Sequence, residues 1–210
     1  MTKMKRIFTA VALPAVLTLS ACGGGGSSST MVGLSGPFYP NLTLTSPAPI
    51  AAAVDARNNY NTLNNSTASS KLPAGLPGGA VYSRDDAAII RVTGGGNAGE
   101  LVGDVSLVVD FAGGGVVGTI SDYRDTTSGA AVAGGLSLAA NPGSIVGSSF
   151  SGTLNAGATS SVGTSNADLT QPSTFQGTFV GNAAQDVVGI VAGTLEDGGN
   201  IQAFYAADAP

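Results

Sequence analysis

The chain has no histidine, no tryptophan and a single cysteine, Cys22, among its 210 residues. Without histidine, Ser-His-Asp and Cys-His catalysis, His-ligated zinc and His-ligated haem are excluded. A lone thiol makes no intrachain disulfide, and once committed to another bond it serves neither as nucleophile nor as metal ligand. The aromatic most used to anchor a binding hot spot is missing with tryptophan. Charge is scarce as well: Asp, Glu, Lys and Arg make up 10% of the chain, against about a quarter in an average soluble domain. After residue 21 no apolar run approaches the about 20 residues that a membrane-spanning helix needs. These absences predict a protein that is not an enzyme and holds no metal.

What is present begins at the N-terminus. Met1–Arg6 carries Lys3, Lys5 and Arg6, and Ile7–Leu19 is an apolar run of thirteen residues broken by Thr9, Pro14 and Thr18. This is a secretory signal, too short and too weakly apolar to stay in a bilayer as a helix. Its end, Leu19-Ser20-Ala21-Cys22, resembles the lipobox of bacterial lipoproteins. In that class the thiol is diacylated, the chain is cut just before the cysteine, and the new N-terminus is usually acylated too. The resemblance implies a signal peptide over 1–21, lipidation of Cys22 by palmitate-class chains as the only covalent group, and a membrane partner through that anchor. One acyl chain holds a protein marginally, whereas two or more hold it stably. An ordinary signal peptide that happens to contain a cysteine is the alternative. Gly23–Gly26 and Ser27–Ser29 weigh against it, because they follow at once and read as a flexible tether. Gly23 after the cysteine leans towards outer-membrane sorting by analogy with enterobacterial systems, so the expected location is the outer membrane, lipid-anchored, on its periplasmic or its surface side.

Removal of the signal takes three basic residues and no acidic one. Five basic residues (Arg57, Lys71, Arg84, Arg91, Arg124) then face thirteen acidic ones, a net charge of −8. Nucleic acid is not an expected partner, since binding it takes clustered Lys and Arg against phosphates. Low charge and 32 glycines suit an all-β exported protein with many tight turns.

Residues 22–79 read as anchor, tether and a loosely structured segment punctuated by Pro37, Pro40, Pro47 and Pro49. Within it, Ile50–Leu63 has helix formers at its start and an apolar face through Val54, Tyr60 and Leu63. The Asn cluster over 58–65 opposes a long helix, so the segment is expected to be flexible or partly helical. From Ala80 the texture changes. Val105, Leu107, Val109 and Phe111 alternate with Asp104, Ser106, Val108 and Asp110, and similar period-two runs recur around Phe150, Phe175 and Val187. Gly94–Gly96, Gly113–Gly115, Asn141-Pro142-Gly143 and Asp197-Gly198-Gly199 between them are turn chemistry. Eight strands follow: 80–93, 101–111, 115–122, 132–138, 146–155, 173–181, 187–196 and 200–206. This spacing suggests an up-and-down barrel or a sandwich. A transmembrane barrel would turn the apolar faces to lipid and needs two aromatic girdles. The strand aromatics are too few for that, and glycine interrupts the apolar faces. The better reading is a water-soluble, eight-stranded antiparallel barrel over 80–207, filled by its own side chains, with glycines making room for phenylalanines.

At Phe175-Gln-Gly-Thr-Phe-Val-Gly-Asn-Ala-Ala-Gln-Asp-Val-Val-Gly189 the chain resembles the penultimate hairpin of the transferrin-binding protein B-like barrel lipoproteins, with Phe175, Gly177, Phe179, Gly181, Ala184, Asp186, Val187 and Gly189 at matching positions. Val180, Asn182 and Val188 depart from that pattern. Ile201–Ala206 is similar to the closing strand, Leu76–Tyr82 to the opening one, and Val105–Phe111 with Val117–Ile120 to the second and third. The resemblance covers about residues 76–207 and implies a single barrel without a clear handle domain. It does not imply transferrin binding as such; the anchor together with a barrel that resembles a receptor family suggests a non-catalytic binding protein with a protein or nutrient-carrying partner. The alternative is a structural envelope lipoprotein with no specific ligand. The matched motifs specify strands and a turn, so they name no ligand-binding residue, and no oligomeric state follows.

Other polar clusters are read as structural first. Arg84, Asp85 and Asp86 form an ion pair or cation site less readily than a solvated bulge. Asp104 and Asp110, six residues apart on one strand, stand about 20 Å apart, too far for a paired acid–base site. Asp122, Arg124 and Asp125 are expected at a strand end in water. Asp186 is expected at a hairpin turn, accepting backbone N–H groups. Glu196-Asp197-Gly198 reads as a turn, lacking the ligand ladder of a calcium loop. Tyr82, Tyr123 and Tyr205 offer haem ligands or a contact patch, but core or rim packing is preferred.

Overall fold

The computed structural model describes residues 37–70, 72, 79–96, 98–140, 144–155, 157–163 and 168–209. The segment 1–21 read as a signal, the expected lipidation site Cys22 and the expected Gly/Ser tether lie outside the described residues.

A helix, α1 (Ala51–Asn64), precedes ten strands: β1 (Ala80–Thr93), β2 (Gly99–Asp110), β3 (Gly115–Asp125), β4 (Gly134–Ala140), β5 (Ile145–Val146), β6 (Ser149–Leu154), β7 (Gly157–Val162), β8 (Asp168–Val180), β9 (Asp186–Leu195) and β10 (Asn200–Asp208). Every pairing is antiparallel. The sheet closes because β1 pairs with both β2 and β10. β6 and β7 share one position, each lying between β4 and β8, and β5 is a short partner of β6. The result is a closed barrel of eight positions, matching the eight expected strands and ruling out the sandwich. No helix among the described residues is long and apolar enough to cross a membrane.

Period two decides which way each strand faces. On β2, Val105, Leu107 and Val109 are buried while Ser106, Val108 and Asp110 are exposed. The apolar faces of all eight positions meet inside in one cluster, the reverse of a barrel that turns them to lipid. Phe179 sits among Tyr82, Phe111 and Phe150 at ring distances of 5.7, 5.1 and 5.2 Å. Phe150 also meets Phe175 at 5.9 Å. Glycine admits these rings: a Cβ on Gly152 would lie 2.6 Å from the Phe175 ring, and one on Gly177 would lie 2.7 Å from Phe150 Cε1 and 2.8 Å from the Tyr205 hydroxyl. Gly177→Ala is therefore expected to cost about 1–3 kcal/mol through overpacking, read as a lower urea midpoint at unchanged slope.

The expectation of a loosely structured approach segment gives way over residues 38–69, which are built onto the barrel. An extended strap, residues 38–46, runs antiparallel to α1. The Asn61 and Asn64 amides bracket its backbone much as a neighbouring strand would: Leu42 N donates to Asn61 Oδ1 (2.8 Å) and Asn61 Nδ2 to the Leu42 carbonyl (2.9 Å). Tyr39 N donates to Asn64 Oδ1 (2.9 Å) and Asn64 Nδ2 to the Tyr39 carbonyl (2.7 Å). The asparagines expected to shorten the helix thus hold its second half in place. Its buried face is Ala53, Ala56, Tyr60 and Asn64, not Val54, Tyr60 and Leu63. The small alanines let the helix approach the outer wall at Ile89, Val102, Val188 and Ala206.

The barrel has two distinct ends. At the near end, where the strap begins, Phe38 N meets the Asn64 carbonyl (3.2 Å) and the Tyr39 hydroxyl meets Thr178 Oγ1 (3.1 Å). This end also carries the β2–β3 and β8–β9 turns. The β1–β2, β3–β4 and β9–β10 turns mark the far end.

Candidate functional site

Sequence inspection singles out neither Arg91 nor Glu100, yet these two residues organise the most developed polar site on the outer wall. They stand directly opposite each other on β1 and β2, near the far end and under the strap. Arg91 Nη2 donates to Glu100 Oε2 at 2.8 Å and to the Thr43 carbonyl at 2.7 Å, and Nε reaches the same carboxylate at 3.3 Å. Thr45 contributes its N–H, at 3.2 Å from both carboxylate oxygens, and its hydroxyl at 2.9 Å. The Ser46 hydroxyl donates at 3.2 Å and also bonds Thr126. The Glu100 side chain is 2% exposed. Burial pushes its carboxyl up, but the bonds from Arg91 and Thr45 together with the guanidinium charge outweigh this and hold it below its ordinary value.

Two clefts flank this ion pair, both reaching Arg91. One, about 340 Å³, is lined by Thr45, Pro47, Thr93, Glu100 and Asp125. The other, about 270 Å³, lies between strap and sheet, with Pro40 and Leu42 on one side and Ile190, Gln202 and Phe204 on the other. The guanidinium lies 5.9 Å from the Phe204 ring centre. Arg91 Nη1 has no hydrogen-bond partner among the described residues. The site offers an apolar floor, an aromatic ring and a cationic donor. Of its two carboxylates, Glu100 is paired with Arg91 and Asp125 caps the turn after β3.

The residues singled out from sequence are placed as follows. Arg84 pairs with Asp208 (2.8 Å), not with its neighbours Asp85 and Asp86. A β-bulge between Ser83 and Ala88 carries Asp86 at φ 51°, and its carboxylate pairs with Arg124 while its N–H donates to Asp104 Oδ1 at 2.8 Å. Burial and the carboxylates of Asp85 and Asp122 push Asp104 up. Among the described residues no group of three or more acidic side chains, histidines or cysteines is arranged to hold a metal ion. Asp110, Asp125 and Asp197 cap turns: Asp110 accepts from Ala112 and Gly113, Asp125 from Thr127 and Ser128, and Asp197 from Gly96 and Gly199. Through Gly96 and Gly199, Asp197 joins the two glycine-rich turns of the far end. Tyr82, Tyr123 and Tyr205 lie in the barrel core. Tyr82, its hydroxyl pushed up to about 12 chiefly by burial, donates to the Ala184 carbonyl at 2.6 Å.

Asp186 differs from expectation. It opens β9 opposite Asp208, and the β8–β9 turn is held instead by Ser69 Oγ, which accepts the Ala184 N–H at 2.9 Å, and by Tyr82. Burial first, then the nearby Asp208 carboxylate, pushes Asp186 up. A group raised in the folded state contributes stability below its unfolded value and loses it as pH rises through the folded one. Asp186→Asn should therefore raise the melting temperature at pH 7, with the gain vanishing below pH 3.8, as checked by a pH series of thermal melts. The same turn holds Ala183 and Ala184 at φ 67° and 55°, a left-handed conformation that costs a side-chain-bearing residue about 1–2 kcal/mol. Ala183 is exposed, so Ala183→Gly is expected to stabilise the fold by about 0.5–1 kcal/mol, measured by urea unfolding.

Comparison with known proteins adds little to this site. No family model matches the chain, and no curated protein does. Among solved structures it is similar to isotype 1 transferrin binding protein B from serogroup B Neisseria meningitidis, with 13% identity and a TM-score of 0.43, over 69% of this chain and 28% of that one. This chain thus spans less than a third of that protein. A likeness of this degree assigns neither family nor ligand.

Proposed function

We propose that this protein is a lipid-anchored outer-membrane lipoprotein, acylated at Cys22, whose barrel is a non-catalytic binding module for a protein or nutrient-carrying partner. The anchor rests on the signal and lipobox-like sequence. The binding role is supported by one observation above others: the barrel interior is filled by its own aromatic and aliphatic side chains, so a ligand has to be met outside it, at the barrel ends or on the outer wall, and the outer wall carries the most developed polar site. There the Arg91 clefts combine an apolar floor with a guanidinium that, although paired with Glu100, has no partner for Nη1 among the described residues. Membership in the transferrin-binding protein B-like lipoproteins fits the hairpin motif at 175–189 and stands as part of this proposal.

Ala192 is exposed and lines the cleft, so Ala192→Tyr should occlude it without touching the core. The expected result is a partner captured from envelope or host fractions by the wild-type lipoprotein and lost with Ala192→Tyr. Capture unaffected by the substitution would move the site elsewhere. No saturable partner in any fraction would favour the structural envelope role, which the internal pairing of most polar clusters also suits.

A further inference from the structure

Four large apolar side chains are exposed among the described residues, and all four stand at the near end: Val81 (44%), Val108 (42%), Val117 (51%) and Val146 (76%). Three form a single row, Val81 opposite Val108 and Val108 opposite Val117, across β1, β2 and β3. Val146 follows Ser144 and Ile145, whose N–H groups bond the Gly114 carbonyl in the β2–β3 turn. The outward row further from the tip is Ser83, Ser106 and Thr119, hydroxyls without a charge, and on the turn side the exposed Asp110 has its carboxylate bonded by the Ala112 and Gly113 N–H groups. Elsewhere on the outer wall apolar side chains such as Ile89, Val102 and Val188 lie beneath α1 and the strap. Among the described residues no such cover lies over the valine row.

The chain also enters at this end. Pro37 is fifteen residues after Cys22, and fifteen residues reach at most about 50 Å in any conformation. An acylated Cys22 therefore holds the near end within about 50 Å of the bilayer, and it is the near end, where the chain enters, that the tether leads to. We propose that the near end is a membrane-docking face, with Val81, Val108, Val117 and Val146 entering the boundary between headgroups and acyl chains. This inference rests on the lipid-anchored reading above. A bilayer suits the patch better than a second copy of the chain. The valine row exposes on the order of 200 Å², a fraction of the about 800 Å² per partner of a standard interface, whereas a tethered domain needs only a small added contact because its local concentration at the membrane is already high. The row itself carries no charge, and the acidic groups beside it are engaged, Asp110 by turn N–H groups and Asp208 by Arg84, which limits repulsion from anionic lipid. Docked this way, the far-end turns and the Arg91 clefts face away from the membrane, where a partner reaches them.

The test uses the full chain, produced with its own signal and reconstituted in phosphatidylethanolamine–phosphatidylglycerol vesicles. Acylated Cys22 is blocked to thiol reagents, so single cysteines at Val117→Cys (near end) and Ala130→Cys (far end, exposed) take an environment-sensitive fluorophore alone. Lipids carrying a nitroxide high on the acyl chain should quench the label at 117 at least threefold more than the label at 130, and Val108→Asp should bring the two together. Equal quenching with acylation confirmed by mass would overturn the docking face and leave the anchor standing. A mass showing no acyl chain at Cys22 would overturn both. Quenching at 117 that follows protein density instead of nitroxide lipid would assign the row to a second copy and overturn the proposal.

Discussion

Arg91→Ala is expected to cost about 3–5 kcal/mol of stability, because it leaves the buried Glu100 carboxylate without its cation. Glu100 is 2% exposed as a side chain, and its remaining partners, Thr45 and Ser46, are neutral. The loss is larger than that of an exposed pair such as Arg84–Asp208, worth about 0–1 kcal/mol. Because Thr43, Thr45 and Ser46 converge on the same pair, the substitution should also release the strap, seen as faster amide hydrogen exchange at Leu42 and Thr45 before global unfolding. The pH dependence has a definite sign. Glu100 is held below its ordinary value of 4.5, so the pair's stabilisation is complete above that pH and is lost as pH falls through the lower folded value. Replacing both residues by glutamine should recover most of the stability and remove this acid limb from the pH–stability curve. A cost below about 1 kcal/mol for Arg91→Ala would show that Glu100 is not buried as described.

Phe179→Ala should be comparably severe, about 3–5 kcal/mol. Its ring is fully buried and touches Tyr82, Phe111 and Phe150, the aromatic stack that fills the near end of the barrel. Three rings converge on the space it vacates, and two of them, Tyr82 and Phe150, are fixed on strands of the closed sheet while Phe111 opens the β2–β3 turn, so the wall itself cannot collapse to fill the cavity. Phe179→Leu, which keeps more of the volume, should recover about half of the loss. Urea unfolding of both variants checks this. A small cost for Phe179→Ala would mean that the interior is loosely packed, and the case for an outer-wall ligand site would fall with it.

The two predictions sit at opposite levels of legibility. Phe179 belongs to a period-two run, Phe175-Gln-Gly-Thr-Phe, whose inward positions are evident because side-chain alternation is a property of the strand alone. The need for small neighbours follows as readily, since a narrow closed barrel has no room for a Cβ beside each ring, as Gly152 and Gly177 show. Glu100 carried no comparable signal. It is a single carboxylate at the start of a strand, and its burial comes from a strap more than fifty residues earlier. Arg84 and Asp86 illustrate the same limit: adjacent carboxylates invite a local pairing, but strand geometry sends Arg84 to Asp208 and the bulge sends Asp86 to Arg124.

By itself the sequence determined the eight barrel positions, the turns with glycine, asparagine or aspartate and the all-β class, because these are set by local alternation and turn chemistry, whereas β7 and the first residues of β8 carried no such pattern. Only the tertiary structure decided how the outer wall is used. Closure of the sheet brings the first strand against the last, and that closed wall gives α1 a surface on which Ala53 and Ala56, rather than Val54 and Leu63, are the residues that fit. It also decided which apolar residues stay uncovered. Val81, Val108 and Val117 sit on three successive strands and become one row only through strand register, which the alternation within any one strand does not encode.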